Sequence, residues 1–220
     1  MKNIKISLFG SSIMEGRIGA AAAAERYYNI LLSKLSERFP HICFSIFNGA
    51  VGGLSTRELM ERFDDNVLKY APDYCLVMFG ANNEDQEHPE RILQDGELEH
   101  LMSAFEAQLP VECRRAGVVL NPVIDKLHYT YAHPVWQKIL RAHGGFNNML
   151  DLEREKARNF YRSHNYPVVD LAELMSEAPE KFICNDGIHL APAGHRIFAN
   201  ALFEVLEQSL IQDGNDTNEG

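Results

Sequence analysis

The sequence has no long hydrophobic run. Its most uniform apolar stretch is the alanine run Ala20–Ala24, far shorter than the roughly 20 apolar residues that span a bilayer. Near the N-terminus, the apolar run from Ile6 to Phe9 is interrupted by Ser7 and is too short for a secretory leader. We therefore expect no membrane insertion and a cytoplasmic location.

Basic residues are fewer than acidic ones. The chain has 21 Lys and Arg against 31 Asp and Glu, which gives a formal net charge of −10. No stretch is rich in Lys or Arg, the footprint that binding to a phosphate backbone requires. We therefore expect no nucleic-acid partner, and the negative charge favours neutral over strongly anionic substrates.

Cysteine is also scarce, and the four cysteines are spread along the chain without metal-ligand spacing. Free Cys is commonly buried, so we expect free thiols and a reducing compartment. The pair His128 and His133 matches no defined zinc motif either. The sequence therefore predicts no metal site.

Short β-rich apolar runs alternate with longer segments of helical periodicity. This alternation is typical of parallel strands joined by crossover helices, and continuous apolar strands indicate a sheet covered on both faces. We predict an α/β fold, a three-layer sandwich with a central, mostly parallel five-stranded sheet, in one domain over residues 1–212. The predicted strands are Lys5–Phe9, Cys43–Phe47, Tyr74–Phe79, Gly117–Leu120 and Pro167–Val169.

Helical signals lie between these strands. Ser55 and Glu58 form a capping-box pattern that opens one helix, and an apolar stripe continues from there to Tyr70. The other predicted helices are about Ala21–Arg38, Pro89–Leu109 and Pro192–Ile211. The polar residues 213–220 predict a disordered acidic tail.

Two patterns contain candidate catalytic residues. Gly10-Ser11-Ser12-Ile13 follows the first strand, and Asp186-Gly187-Ile188-His189 precedes the last helix. Residues at the carboxyl ends of parallel strands converge on one crevice, where His189, oriented by Asp186, is suited to activate Ser12. Taken alone, each residue also has a structural interpretation: Ser12 as a turn or cap residue and His189 as a structural histidine.

Two further loops offer uncharged donors. Asn48-Gly49-Ala50-Val51-Gly52-Gly53 follows the second strand, and Gly80-Ala81-Asn82-Asn83 follows the third. A glycine main-chain N–H and an asparagine carboxamide are suitable donors to a developing oxyanion. Either loop can also be a simple turn.

With these four blocks in order, the sequence resembles the SGNH hydrolases, the GDSL-type esterases and lipases, from about residue 5 to residue 200. The resemblance implies a flavodoxin-like fold with Ser12 as nucleophile, Asp186 and His189 completing the triad, and an oxyanion hole formed by Ser12, Gly53 and Asn82. It implies an acyl-enzyme mechanism without metal or cofactor. Ser11 and Asn83 stand where the family often has aspartate, which puts the support of the Asn82 loop in question.

The segment from Asn121 to Leu150 interrupts the regular alternation and is rich in aromatic and histidine residues. Long connections often carry function, whereas aromatic residues also pack well in cores. Two interpretations therefore stand, a substrate-contacting lid or sugar-stacking surface and local packing. The candidate substrate contacts are His128, Tyr129, Tyr131 and Trp136.

The function expected from the resemblance is hydrolysis of short-chain, notably acetyl, esters, with a carbohydrate ester slightly favoured over a thioester or lipid. The expected partner is a small-molecule ester, and the oligomeric state is open. An acyltransferase would use the same acyl-enzyme. A non-catalytic binding protein on this fold is a third alternative, although the complete set of block residues argues against it.

Overall fold

The computed structural model describes residues 2–80 and 82–216. Within them, five strands form a single sheet: β1 (Lys2–Phe9), β2 (Ile42–Asn48), β3 (Tyr74–Val77), β4 (Arg114–Val119) and β5 (Val168–Asp170). The strand order is β2-β1-β3-β4-β5, and every neighbouring pair is parallel. The predicted α/β fold and its five strands are confirmed.

The helices are α1 (Ser12–Glu15), α2 (Tyr27–Arg38), α3 (Thr56–Met60), α4 (Phe63–Asn66), α5 (Glu97–Gln108), α6 (Pro134–His143), α7 (Phe146–Ser163), α8 (Leu171–Leu174) and α9 (Pro192–Asp216). Short 3-10 turns lie at Ala23–Glu25, Leu68–Tyr70, Pro89–Arg91, Asp125–Leu127 and Pro179–Lys181.

Both faces of the sheet are buried, as continuous apolar strands predict. In β3, Tyr74 and Leu76 join one core cluster while Cys75 and Val77 join the other, because successive side chains of a strand point to opposite faces. The first cluster packs under α2 and α9, and the second packs under α5 and α7. Three layers result, with the carboxyl ends of the strands along one edge.

The second predicted helix is interrupted. The Ser55–Glu58 capping box is present, with Glu58 N–H donating to Ser55 Oγ at 3.4 Å and Ser55 N–H donating to Glu58 Oε2 at 2.9 Å. Instead of continuing to Tyr70, the segment divides into α3, α4 and a 3-10 turn. Asn66 donates its carboxamide N–H to Gly49 O at 3.1 Å, so a contact with the loop after β2 competes with the regular helix.

The other helix boundaries differ in part from those predicted. The segment predicted as Ala21–Arg38 becomes a 3-10 turn followed by α2, and the one predicted as Pro89–Leu109 becomes a 3-10 turn followed by α5. The segment predicted as an irregular connection contains α6 and the start of α7.

The last helix is longer than expected, because α9 continues through Asp216. The first four residues of the predicted disordered tail are therefore helical, and its remaining residues, 217–220, lie outside the described part of the chain. No helix in the described part is both long and apolar enough to cross a membrane.

Candidate active site

Ser12 is the first residue of α1, three residues after the carboxyl end of β1, and it is partly buried. The loop after β2 lies against it. A Cβ placed on Gly52 would be 3.4 Å from Ser12 Cβ and 2.8 Å from Glu15 Oε2. The absence of a side chain at Gly52 therefore allows the main chain of this loop to approach Ser12.

Asp186 and His189 are in direct contact. Asp186 Oδ2 lies 2.8 Å from His189 Nδ1, and Asp186 Oδ1 accepts the main-chain N–H groups of Ile188 and His189, each at 3.0 Å. Partial burial raises the pKa of Asp186, but these donors outweigh burial and bring the pKa below its usual value. The carboxylate is therefore ionised at neutral pH and orients the imidazole, leaving Nε2 for other partners.

Residues that flank the Asp186–His189 turn pack against the loop that follows α1. A Cβ on Gly19 would lie 2.7 Å from Cys184 Sγ, and His195 Nε2 donates to Ile18 O at 3.0 Å. The Ser12 helix and the Asp186–His189 turn are thereby held on the same side of the molecule. Within the described residues, Ser12 and His189 are not hydrogen-bonded to each other, and such bonds often tighten only when substrate is bound.

Gly53 and Asn82, two of the three candidate oxyanion donors, are linked through one loop. Gly53 is exposed and has a φ of +79°, a conformation that favours glycine. Asn82 donates one carboxamide N–H to the carbonyl of Leu54, the next residue, at 3.0 Å. Because a carboxamide has two N–H donors, the second stays available for an oxyanion.

The structure shows how the loop around Asn82 is supported without the usual aspartate. Asn83 is fully buried, and its Oδ1 accepts the N–H of Thr56, the first residue of α3, at 2.8 Å. Thr56 Oγ1 in turn accepts the N–H of Gly80 at 3.3 Å. An asparagine oxygen thus anchors the loop to α3. The Ser11 hydroxyl is buried and makes no hydrogen bond to any described residue.

The four aromatic and histidine candidates occupy different environments. Tyr129 is 77% exposed and stacks on His128, with ring centroids 4.8 Å apart. Tyr131 is partly buried against the core. Trp136 is only 7% exposed and packs on Phe146, so its side chain belongs to the core and not to an open surface.

His128 lies beside the triad candidates. Its main-chain N is 2.7 Å from where a Cβ on Gly187 would be, and its Nδ1 lies 2.7 Å from Thr130 Oγ1. Burial lowers the pKa of His128 below its usual value, so the ring is neutral at pH 7. The stacked His128–Tyr129 pair therefore forms an uncharged aromatic surface next to the Asp186–His189 turn.

All four cysteines are free thiols. Among the described residues, no group of three or more His, Cys, Asp or Glu side chains is placed to hold a metal ion.

The sequence matches the family model described as the GDSL-like Lipase/Acylhydrolase family over residues 8–197. The chain belongs to this family. As a GDSL-like acylhydrolase it is a hydrolase acting on esters, and its substrate is a small-molecule ester. No curated protein sequence matches it significantly.

Solved structures share the fold of this acylhydrolase. A lipase/acylhydrolase from Enterococcus faecalis superposes with a TM-score of 0.72 at 18% identity, covering 91% of this chain and 94% of that one. An acetylxylan esterase from Geobacillus stearothermophilus gives 0.67 at 18% identity, covering 92% and 93%. A two-domain esterase active on acetylated mannans gives 0.63 at 17% identity, covering 94% of this chain and 50% of that one.

Two residues next to the candidate triad were missed by the sequence analysis. Asn121 lies two residues after the end of β4 and donates to Ile188 O at 2.9 Å, and Arg154 on α7 donates to Asn121 O at 2.5 Å. Asn121 follows the same rule that identified Ser12, since it stands at the carboxyl end of a parallel strand. Nothing in the local sequence marks Arg154, because a helical arginine is usually a surface residue.

Proposed function

We propose that this acylhydrolase removes short acyl groups, notably acetyl, from carbohydrate esters through an acyl-enzyme on Ser12. The observation that carries the proposal is the contact between Asp186 Oδ2 and His189 Nδ1 at 2.8 Å. The carboxylate is held by two main-chain donors and is ionised. In a neutral imidazole held this way the ring proton is on Nδ1, which leaves Nε2 as the nitrogen that accepts a proton.

In the first half of the reaction, His189 Nε2 takes the hydroxyl proton of Ser12 while Oγ attacks the ester carbonyl carbon. The negative charge that develops on the carbonyl oxygen is stabilised by the N–H groups of Ser12 and Gly53 and the carboxamide of Asn82. The C–O bond to the alcohol then breaks. His189 returns its proton to the departing alkoxide, and Ser12 carries the acyl group as an ester.

In the second half, a water molecule replaces the alcohol. His189 takes one of its protons as the oxygen attacks the acyl carbon, the bond to Ser12 Oγ breaks, and the proton returns to Ser12. The products are a carboxylic acid and the free enzyme. No metal or organic cofactor takes part in this scheme.

The stacked His128–Tyr129 pair beside the Asp186–His189 turn favours a carbohydrate as the alcohol part of the ester. Tyr129 is 77% exposed and stacks on the neutral His128, so its outer face is free for an apolar sugar face. Two proteins of similar fold are an acetylxylan esterase and an esterase active on acetylated mannans, which is consistent with this substrate class. The net charge of −10 favours a neutral sugar ester over an anionic one.

The test is hydrolysis of p-nitrophenyl acetate and labelling by a fluorophosphonate probe. Wild type is expected to turn over the ester and to be labelled at Ser12, whereas Ser12→Ala keeps the fold and loses both activities. Ser103→Ala is the control, because Ser103 is an exposed residue of α5 whose hydroxyl donates to Glu99 O of the same helix. Full activity in Ser12→Ala refutes the proposal.

Two further outcomes identify the alternatives. Acetyl transfer to an added sugar in preference to water would make the protein an acyltransferase, and product analysis detects it. A folded wild-type protein that is neither labelled nor active would indicate a binding protein on this fold.

A further inference from the structure

Three peptide groups connect Asp186 to His189, and the second and third are fixed by the Asp186 carboxylate. The N–H of Ile188 and the N–H of His189 donate to Asp186 Oδ1. The carbonyls of the same two peptide groups belong to Gly187 and Ile188. Because a peptide group is planar, a bond that fixes a carbonyl also fixes the direction of the N–H on its other side.

Both carbonyls are held by the segment after β4. The N–H of Ile124 donates to Gly187 O at 2.7 Å, and the carboxamide of Asn121 donates to Ile188 O at 2.9 Å. The approach is close, since a Cβ on Gly187 would lie 2.7 Å from Ile124 O and 2.7 Å from His128 N. The segment Asn121–Ile124 therefore determines where the two donors to Asp186 Oδ1 point.

The orientation of the Asn121 carboxamide follows from its surroundings. The side chain is fully buried, and Nδ2 lies 2.9 Å from both Pro122 O and Ile188 O. Both neighbours are carbonyl acceptors, so only the NH₂ end of the carboxamide fits against them.

Two residues of helix α7, Asn147 and Arg154, hold the segment after β4 in place. Arg154 is 3% exposed, and it donates from Nε to Leu120 O at 3.0 Å and from Nη2 to Asn121 O at 2.5 Å. The Asn147 carboxamide bonds both main-chain groups of Val123, accepting from its N–H at 2.9 Å and donating to its carbonyl at 2.7 Å. A segment bonded in this way has little freedom to shift.

We propose that Asn121 is a positioning residue for the triad, with Arg154 as its anchor. By donating to Ile188 O, Asn121 fixes the Ile188–His189 peptide group, whose N–H donates to Asp186 Oδ1. Asn121 thereby sets the angle at which Asp186 Oδ2 meets the His189 ring. This inference rests on the proposed function. Loss of the Asn121 donor frees the Ile188–His189 peptide group to rotate, and a small misplacement of a catalytic group costs rate more than substrate binding.

The test compares Asn121→Ala with Asn121→Leu, which also lacks the donor but keeps most of the side-chain volume. With p-nitrophenyl acetate, kcat is expected to fall about 10- to 100-fold, while KM stays within about twofold of wild type. Fluorophosphonate labelling of Ser12 should slow by the same factor as kcat/KM, measured where thermal unfolding shows each variant folded. Asn148→Ala is the matched control, because that carboxamide also donates to a main-chain carbonyl, His143 O at 3.0 Å, outside the turn.

The possible outcomes separate the two proposals. A folded Asn121→Leu with kcat within about twofold of wild type overturns the positioning role. Failure of both variants to fold overturns it too, in favour of a purely structural residue. An inactive, unlabelled wild-type protein removes the proposed function and this inference with it, whereas an active wild type with an unaffected variant removes the inference alone.

Discussion

The His195 ring on α9 accepts a hydrogen bond at Nδ1 from the main-chain N–H of Tyr27, at 3.3 Å, across 168 positions of sequence. Its other nitrogen, Nε2, donates to Ile18 O at 3.0 Å. The ring therefore needs to be neutral, since a protonated Nδ1 cannot accept. His195 ties the loop after the candidate nucleophile to the last helix, which is a structural role.

We predict that this contact makes stability depend on pH. Burial lowers the pKa of His195 below its usual value, and nearby Arg26 acts in the same direction. The unfolded chain therefore binds the proton more tightly, so the free energy of unfolding is greatest above about pH 6.5 and decreases as the pH falls below it. Urea denaturation at about pH 8 and about pH 5 measures this dependence.

His195→Gln is the informative variant because glutamine keeps an acceptor and a donor but does not titrate. Its stability at high pH should fall by about 1 kcal/mol or more from imperfect bonds, and its pH dependence should be shallower than that of wild type. His41→Gln, at an exposed position, serves as control and should keep the wild-type dependence. An unchanged pH dependence in His195→Gln contradicts the assignment.

Asn82→Ala removes the proposed side-chain donor to the oxyanion. Loss of one such donor is expected to lower kcat by about 10²- to 10³-fold, with a smaller effect on KM. Asn29→Ala is the control: Asn29 likewise donates its carboxamide to one main-chain carbonyl, Ala23 O at 2.7 Å, but lies on α2. The measurement is kcat and KM of both variants from steady-state kinetics with p-nitrophenyl acetate. Equal kcat values for Asn82→Ala and Asn29→Ala would exclude Asn82 from the oxyanion hole.

Tyr129→Ala tests the sugar-stacking surface. Removal of the ring should raise KM for an acetylated xylo-oligosaccharide by up to about fivefold, the equivalent of an aromatic contact of about 1 kcal/mol. Turnover of p-nitrophenyl acetate should stay at the wild-type level, since that substrate has no sugar ring. Tyr129→Phe should behave as wild type because it keeps the stacking face. A uniform effect on both substrates would indicate a general disturbance of the neighbouring turn.

Much of the fold is encoded locally and could be predicted. Each strand contains a short apolar run, and the burial of both sheet faces follows from the alternation of side chains between two clusters. The capping box of Ser55 and Glu58 forms as its spacing predicts. Asp186 and His189 are three positions apart on a tight turn, so their contact was also predictable.

Features set by distant contacts could not be predicted. The apolar stripe Leu59, Phe63 and Val67 is buried as expected, but the helix that carries it breaks where Asn66 bonds the loop at Gly49. The start of α6 at Pro134 and its end before Gly144, with a φ of +78°, are ordinary helix signals that the many aromatic residues obscured. The hydrogen bonds from Arg154 to Asn121 and from Asn121 to Ile188 join three separate regions of the chain, and no local sequence pattern predicts them.

The segment that carries Tyr129 is closed at its base. Asp125 Oδ2 accepts the N–H of Phe146, the first residue of α7, at 3.0 Å, and one residue later Asn147 clamps Val123. The two ends of the segment 126–145 are thus held next to each other. Trp136 and Leu140 of this segment belong to the core, but exposed residues such as Tyr129 can change while the bonds that orient the Asp186 carboxylate stay as they are. Under the proposed function, substrate choice can therefore change at these exposed positions without rebuilding the proposed triad of Ser12, Asp186 and His189.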